Sequence, residues 1–162
     1  MIELALPTAE DTRRLGAALG SGWASAQPRA QSLHLVGELG AGKTTLAQAL
    51  LAALGVTERV RSPTYSLLEV YETSFGTVVH ADFYRLRGGA ELEALGWRDY
   101  CVPGILTLIE WPEHGGAAVP APDLHLALQV LDAGRRARLE TRSAAGEAWL
   151  IASGITRNSM PI

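Results

Sequence analysis

The stretch GELGAGKTTL, residues 37–46, lies between the apolar run SLHLV (32–36) and the Ala/Leu-rich TTLAQALLAAL (44–54). Gly37, Gly40 and Gly42 release the backbone from the restrictions that a Cβ imposes. A strand therefore stops at Val36 and a helix starts within a residue or two of Lys43. So abrupt a turn gathers backbone N–H groups at the positive end of the new helix. Lys43 is the only lysine among the 14 Lys and Arg residues. An ammonium is a compact charge on a flexible stem, whereas a guanidinium is a wide planar fork, so a narrow oxyanion cradle admits the first and not the second.

Gly37 through Thr44 match G-x-x-x-x-G-K-[ST] with the preceding strand and following helix that this pattern requires. The N–H groups of Gly37, Glu38, Leu39, Gly40, Ala41 and Gly42, with Thr45 in the first helical turn, form a cofactor-binding set for phosphate oxygens. Lys43 reaches the β- and γ-phosphates, and the Thr44 hydroxyl ligates Mg²⁺. The expected ligands are ATP or ADP with Mg²⁺.

A phosphate loop of this kind needs an acid on the magnesium side, at the end of a buried strand. Glu110 ends ILTLIE and Asp82 ends TVVHAD. The first run is uninterrupted and apolar, so Glu110 is expected to hold the ion through water. Asp82 then sits nearby and orients the attacking water or another magnesium water. RSPTYS (61–66) lies where many such proteins place a loop that senses the γ-phosphate, with Thr64 as sensor. A plain turn on Ser62–Pro63 is the alternative. Trp111 is open between core and binding surface. His34 and His80 read as packed, hydrogen-bonded strand residues, and Cys101 as a small apolar one.

Along the chain, IELAL (2–6) predicts an edge strand, and Thr8 caps a helix that runs to about residue 19. Residues 20–31 predict a loop. Residues 65–82 form a hairpin turning around Glu72–Gly76, and 89–96 suit a short helix. GILTLIEW (104–111) predicts a strand covered on both faces. LHLALQVL (124–131) and RRARLETR (135–142) form a second hairpin, followed by a helix near 145–151. The sum is a three-layer α/β domain with a mixed central sheet and antiparallel hairpins. A single domain is expected over 1–153, with 154–162 a flexible tail.

Composition narrows the function classes. At 48% apolar residues the chain can build a core, and a net charge of −3 gives no basic surface for gripping nucleic acid. One cysteine excludes an internal disulfide and suits a reducing compartment. The N-terminus lacks a signal peptide and no uncharged apolar run approaches the roughly 20 residues of a membrane span, so a cytoplasmic location is expected.

GELGAGKTT, SPTYSLLEVY, HADFYRL, ELEALGWRDY and LIEWPE occur in this order. From about residue 8 to 142 the chain resembles the TsaE (YjeE) family, the bacterial ATPase of tRNA threonylcarbamoyladenosine (t6A) biosynthesis. The resemblance implies a small P-loop ATPase that works with TsaD and TsaB. Those proteins transfer threonylcarbamoyl to N6 of tRNA adenosine 37, and the ATPase supports repeated turnover, touching tRNA only through the complex. It further implies that Lys43, Thr44 and Glu110 serve phosphate and magnesium, and that Thr64 and Asp82 belong to the hydrolysis machinery. The same resemblance implies that Thr12 and Arg135 flank the nucleotide base, and Trp111 follows the acid as in the family. A small-molecule or nucleotide kinase is the rival reading. It needs an acceptor pocket and an arginine-bearing lid, for which YRLR (84–87) supplies arginines. A nucleotide-dependent switch with negligible hydrolysis is the non-enzyme alternative.

Overall fold

The computed structural model describes residues 1–156, apart from residues 28 and 30. Seven strands build one sheet: β1 (Ile2–Leu6), β2 (Ser32–Val36), β3 (Leu68–Thr73), β4 (Gly76–Asp82), β5 (Ile105–Glu110), β6 (Leu124–Val130) and β7 (Arg135–Thr141). Their order is β1-β7-β6-β2-β5-β4-β3. The inner strands β6, β2, β5 and β4 are mutually parallel. The flanking strands β7, β1 and β3 join antiparallel, which gives the expected mixed sheet with two hairpins.

Side-chain alternation decides which face each strand buries. Leu33 and Leu35 of β2, Leu124, Leu126 and Leu128 of β6, and Ala137 and Leu139 of β7 point into one large core. Helices α1 (Ala9–Ser25), α2 (Lys43–Ala53) and, at the C-terminal end, the last helix (Ala144–Ala152) contribute Leu19, Leu50 and Trp149 to that core. The opposite face carries a smaller cluster, built on Val79, Ala81 and Ile109. It is closed by α3 (Gly89–Ala94), the 3₁₀ turn Trp97–Tyr100 and the 3₁₀ stretch Pro112–Ala118, so the C-terminal helix is α4. β5 supplies Leu106 and Leu108 to one core and Ile109 to the other, as a strand covered on both faces must. This second layer covers β4 and β5 and reaches β2, where His34 is buried. Over β6, β7 and β1 the same face is open, with Gln129, Arg136, Arg138, Glu3 and Ala5 exposed.

Thr8 caps α1 as expected: its Oγ1 accepts from Asp11 N at 3.3 Å, and Asp11 Oδ2 accepts from Thr8 N at 2.9 Å. The loop expected over 20–31 is corrected, because α1 continues to Ser25. Gly20 and Gly22 are packing residues here and not breakers. A Cβ on Gly16 would lie 2.4 Å from the Leu46 carbonyl oxygen, and one on Gly20 would lie 2.5 Å from that of Leu50. The two glycines let α1 and α2 press backbone to backbone. Gly20→Ala is therefore expected to destabilise the protein by about 1–3 kcal/mol through overpacking, despite the better helix propensity of alanine. An unchanged or raised urea midpoint would contradict this account of the helix contact.

Smaller differences have local causes. β3 starts at Leu68 and not at Tyr65, because Leu67 adopts a left-handed conformation (φ 67°) and turns the chain. His34 is buried, but its Nε2 has no hydrogen-bond partner among the described residues. Burial, followed by the nearby His125, pushes its pKa down to about 4. His80 is packed and hydrogen-bonded as expected. Cys101 is half-buried, and burial raises its thiol pKa. Ile155, in the segment read as a tail, is buried in the main core, while 157–162 lie outside the described residues.

Candidate functional site

The strand order brings three loops to one edge. β2 lies beside β5, and β5 beside β4, all parallel, so the chain segments leaving Val36, Glu110 and Asp82 emerge together. Asp82 and Glu110 are register partners. Ligands of open α/β sheets bind at this carboxyl edge. A cavity of about 650 Å³ lies here.

Residues 37–42 turn from strand to helix as their composition requires. Gly37 (φ 147°) and Gly42 (φ 108°) hold conformations that L side chains rarely adopt. At Gly37 a Cβ would also lie 2.3 Å from the Leu128 carbonyl oxygen. Gly42 is the N-cap of α2 and supplies no side-chain cap, so the first-turn N–H groups of α2 receive none from it.

Lys43 is only 4% exposed. Its Nζ donates to the carbonyls of Gly37 at 2.6 Å and Glu38 at 2.9 Å, and lies 4.1 Å from the centre of the Trp111 ring. Burial lowers its pKa, against the opposing pull of Glu110, Asp82, Glu113 and Glu38. Thr44 Oγ1 donates to Glu110, 2.9 Å from Oε1 and 3.1 Å from Oε2. Glu110 Oε1 also lies 2.9 Å from His80 Nε2, with Glu110 only 2% exposed.

Asp82 gathers a separate set of partners. Its Oδ2 accepts from Thr64 Oγ1 at 2.7 Å and from Ser62 Oγ, and its Oδ1 accepts from Tyr84 N at 2.9 Å. The 61–66 segment is thus tied to the strand end, and Leu67 continues the tie by accepting from Asp82 N at 2.9 Å.

The cavity wall joins Leu39, Gly40, Gly42, Lys43, Thr44 and Thr45 to Thr64, Asp82, Glu110 and Arg135. Arg135 Nε donates to the Ala41 carbonyl at 2.7 Å, which fastens β7 to the loop. Gly37, Glu38 and Ala41 stand behind the wall as the turn itself. Thr12 does not reach the cavity. It is buried at 1% exposure against the α2 start, its methyl 3.5 Å from where a Gly42 Cβ would be.

Ser62, Tyr65, Tyr84, Arg85 and Trp111 also line the cavity, although the motif reading did not place them there. Arg85 stacks on Tyr65 at 4.5 Å, and a Ser and a Tyr flanking Thr64 within SPTY were the available signal. Trp111 was left open and proves to be a cavity residue. It takes a left-handed conformation (φ 56°, ψ 48°), costing about 1–2 kcal/mol. That turn carries the indole over Lys43 and against Tyr84, with ring centres 5.1 Å apart.

Comparisons with known proteins bear on the family and the fold. Residues 6–138 match the family model of "Threonylcarbamoyl adenosine biosynthesis protein TsaE". The tRNA threonylcarbamoyladenosine biosynthesis protein TsaE of Haemophilus influenzae is 38% identical over 119 residues, covering 74% of this chain and 75% of that protein. The protein of the same name from Aquifex aeolicus is 35% identical over 136 residues, covering 83% of this chain and 91% of that one. The crystal structure of YdiB from Bacillus subtilis superposes with a TM-score of 0.75 at 22% identity, over 94% of this chain and 93% of that one, a likeness of fold. With the family model spanning the phosphate loop, both strand-end acids and the β7 arginine, the chain belongs to the TsaE family.

Proposed function

We propose that this chain is the ATP-hydrolysing subunit of a tRNA threonylcarbamoyladenosine (t6A) machinery, binding a TsaD–TsaB assembly and supporting its repeated turnover. The observation that carries the reading is the contact of Thr44 Oγ1 with Glu110 at 2.9 Å, beside Lys43, at the carboxyl edge of the sheet. A P-loop hydroxyl joined to a strand-end carboxylate supports phosphoryl chemistry over a passive glycine turn.

The residues divide the work. Lys43 exchanges the Gly37 and Glu38 carbonyls for phosphate oxygens, with the Trp111 ring keeping its ammonium aimed into the cavity. The loop N–H groups and the start of α2 hold the remaining phosphate charge. Thr44 and Glu110 are hard oxygen donors that suit Mg²⁺ and would hold it on their side of the cavity. No cluster of three or more His, Cys, Asp or Glu residues able to hold an ion exists among the described residues. That fits magnesium, which keeps waters and takes substrate phosphates in place of an all-protein cage. When bound, it neutralises charge on the β- and γ-oxygens. Asp82 fixes Ser62 and Thr64 on the cavity wall, where the 61–66 segment would meet the γ-phosphate. Arg135 borders the loop on the base side.

With a net charge of −3, contact with tRNA runs through the partners. No helix among the described residues is long and apolar enough to cross a membrane. A cytoplasmic place follows from the proposed role, and the single domain extends past residue 153 to include Ile155, which packs in the main core.

ATP turnover of the chain alone, and with TsaD, TsaB and tRNA, tests the proposal. We expect slow hydrolysis alone and a rise of about tenfold or more with the partners, since P-loop enzymes gain large factors when a second protein completes the site. Without this chain, a reconstituted modification reaction is expected to stop near one round per assembly. Many rounds without it, or fast hydrolysis by the chain alone with no response to partners, would defeat the reading.

A further inference from the structure

His80 lies on β4 two residues before Asp82, on the same face, with its ring wholly buried. Its neighbour in register on β5 is the buried Leu108. Nε2 is 2.9 Å from Glu110 Oε1, whereas Nδ1 is buried with no hydrogen-bond partner among the described residues. A carboxylate only accepts, so the ring nitrogen facing it must carry hydrogen. An N–H at Nδ1 would face no acceptor. The geometry assigns the Nε2–H tautomer.

One consequence concerns the two oxygens of Glu110. Oε1 accepts from His80 and, at 2.9 Å, from Thr44, while Oε2 has only the longer Thr44 contact at 3.1 Å. Oε2 therefore keeps the freer lone pairs. We propose that His80 is a positioning residue: by donating to Oε1 it holds the Glu110 carboxylate in the rotation that turns Oε2 toward the magnesium side of the cavity. This rests on the reading of Glu110 as the magnesium-side acid. A hydrogen bond that orients a metal-side carboxylate is worth about 10–100-fold in metal affinity.

The test compares His80→Gln, His80→Asn and His80→Leu by calorimetry, titrating ADP without metal and then Mg²⁺ at fixed ADP. Gln can place an amide N–H near the Nε2 position, Asn falls short, and Leu has no donor. We expect metal-free ADP affinity to stay within about twofold in all three. Mg²⁺ affinity should fall about tenfold or more in the Asn and Leu variants and largely recover in Gln. Folded Asn and Leu variants with normal Mg²⁺ affinity would overturn the proposal. An equal loss in Gln would also overturn it, by reducing His80 to a packing residue.

Glu110→Gln in the same titration separates the two levels. If it leaves Mg²⁺ affinity unchanged, the magnesium-side reading of Glu110 fails. If it lowers Mg²⁺ affinity while the His80 variants do not, only the role of His80 fails. Long-range ¹H–¹⁵N spectra of the unmodified protein should show hydrogen on Nε2 and none on Nδ1. The reverse tautomer would overturn the proposal even if no variant folded.

Discussion

Lys43→Ala is expected to lower ATP turnover on the order of 10²–10³-fold, the usual consequence of removing a preorganised charge from a developing oxyanion. Lys43 is 4% exposed and its ammonium rests on two loop carbonyls beside the Trp111 ring, so the charge waits at the cradle and needs only to exchange those carbonyls for phosphate oxygens. The fold should survive. The hydrogen bonds lost are those to Gly37 and Glu38 at the cavity edge, where water can replace them, and the cost should stay within about 1–3 kcal/mol. Lys43→Arg is expected to fail almost as badly, although the charge is kept. The gap between the two carbonyls, at 2.6 and 2.9 Å, and the ring at 4.1 Å accommodates an ammonium and not a planar fork. Steady-state ATPase measurements beside thermal unfolding curves check both statements. Turnover within twofold of the parent in either variant would remove Lys43 from the site.

Glu110→Gln and Asp82→Asn should separate by which step they damage. Glu110→Gln keeps the shape and removes the charge from the group that Thr44 and His80 both contact, so it should lower turnover and weaken nucleotide binding specifically where Mg²⁺ is present. Asp82→Asn leaves an amide oxygen for Ser62 and Thr64 but turns its NH₂ toward the Tyr84 N–H, donor against donor. The 61–66 segment should loosen, with turnover falling about tenfold or more and nucleotide affinity nearly unchanged. Equilibrium titrations with and without Mg²⁺ read the difference. If Asp82→Asn weakens Mg²⁺-dependent binding and Glu110→Gln does not, the two assignments exchange.

By itself the amino-acid sequence determined what depends on near neighbours along the chain. Three glycines and a lysine between a strand and a helix dictated the phosphate loop, because left-handed backbone and bare N–H groups are local requirements. Alternation in LHLALQV and RRARLET, against the unbroken ILTLIE, marked which strands bury one face and which bury both, since successive strand side chains point to opposite sides. Placing acids at the ends of two strands was legible for the same reason.

Tertiary structure decided what depends on residues far apart. Gly20 and Gly22 read as a loop from composition, yet they extend α1, because a missing Cβ counts differently once another segment lies against it, α2 at Gly20 and Ser153 at Gly22. Sequence favoured Glu110 over Asp82 only on the apolar run that precedes it. Only the strand order, with β5 next to β2 and β4 one place further out, set Glu110 against Thr44 and left Asp82 to Ser62 and Thr64. The contacts of Glu110 with Thr44 and with His80, 66 and 30 residues away along the chain, are likewise pairings that no local pattern encodes.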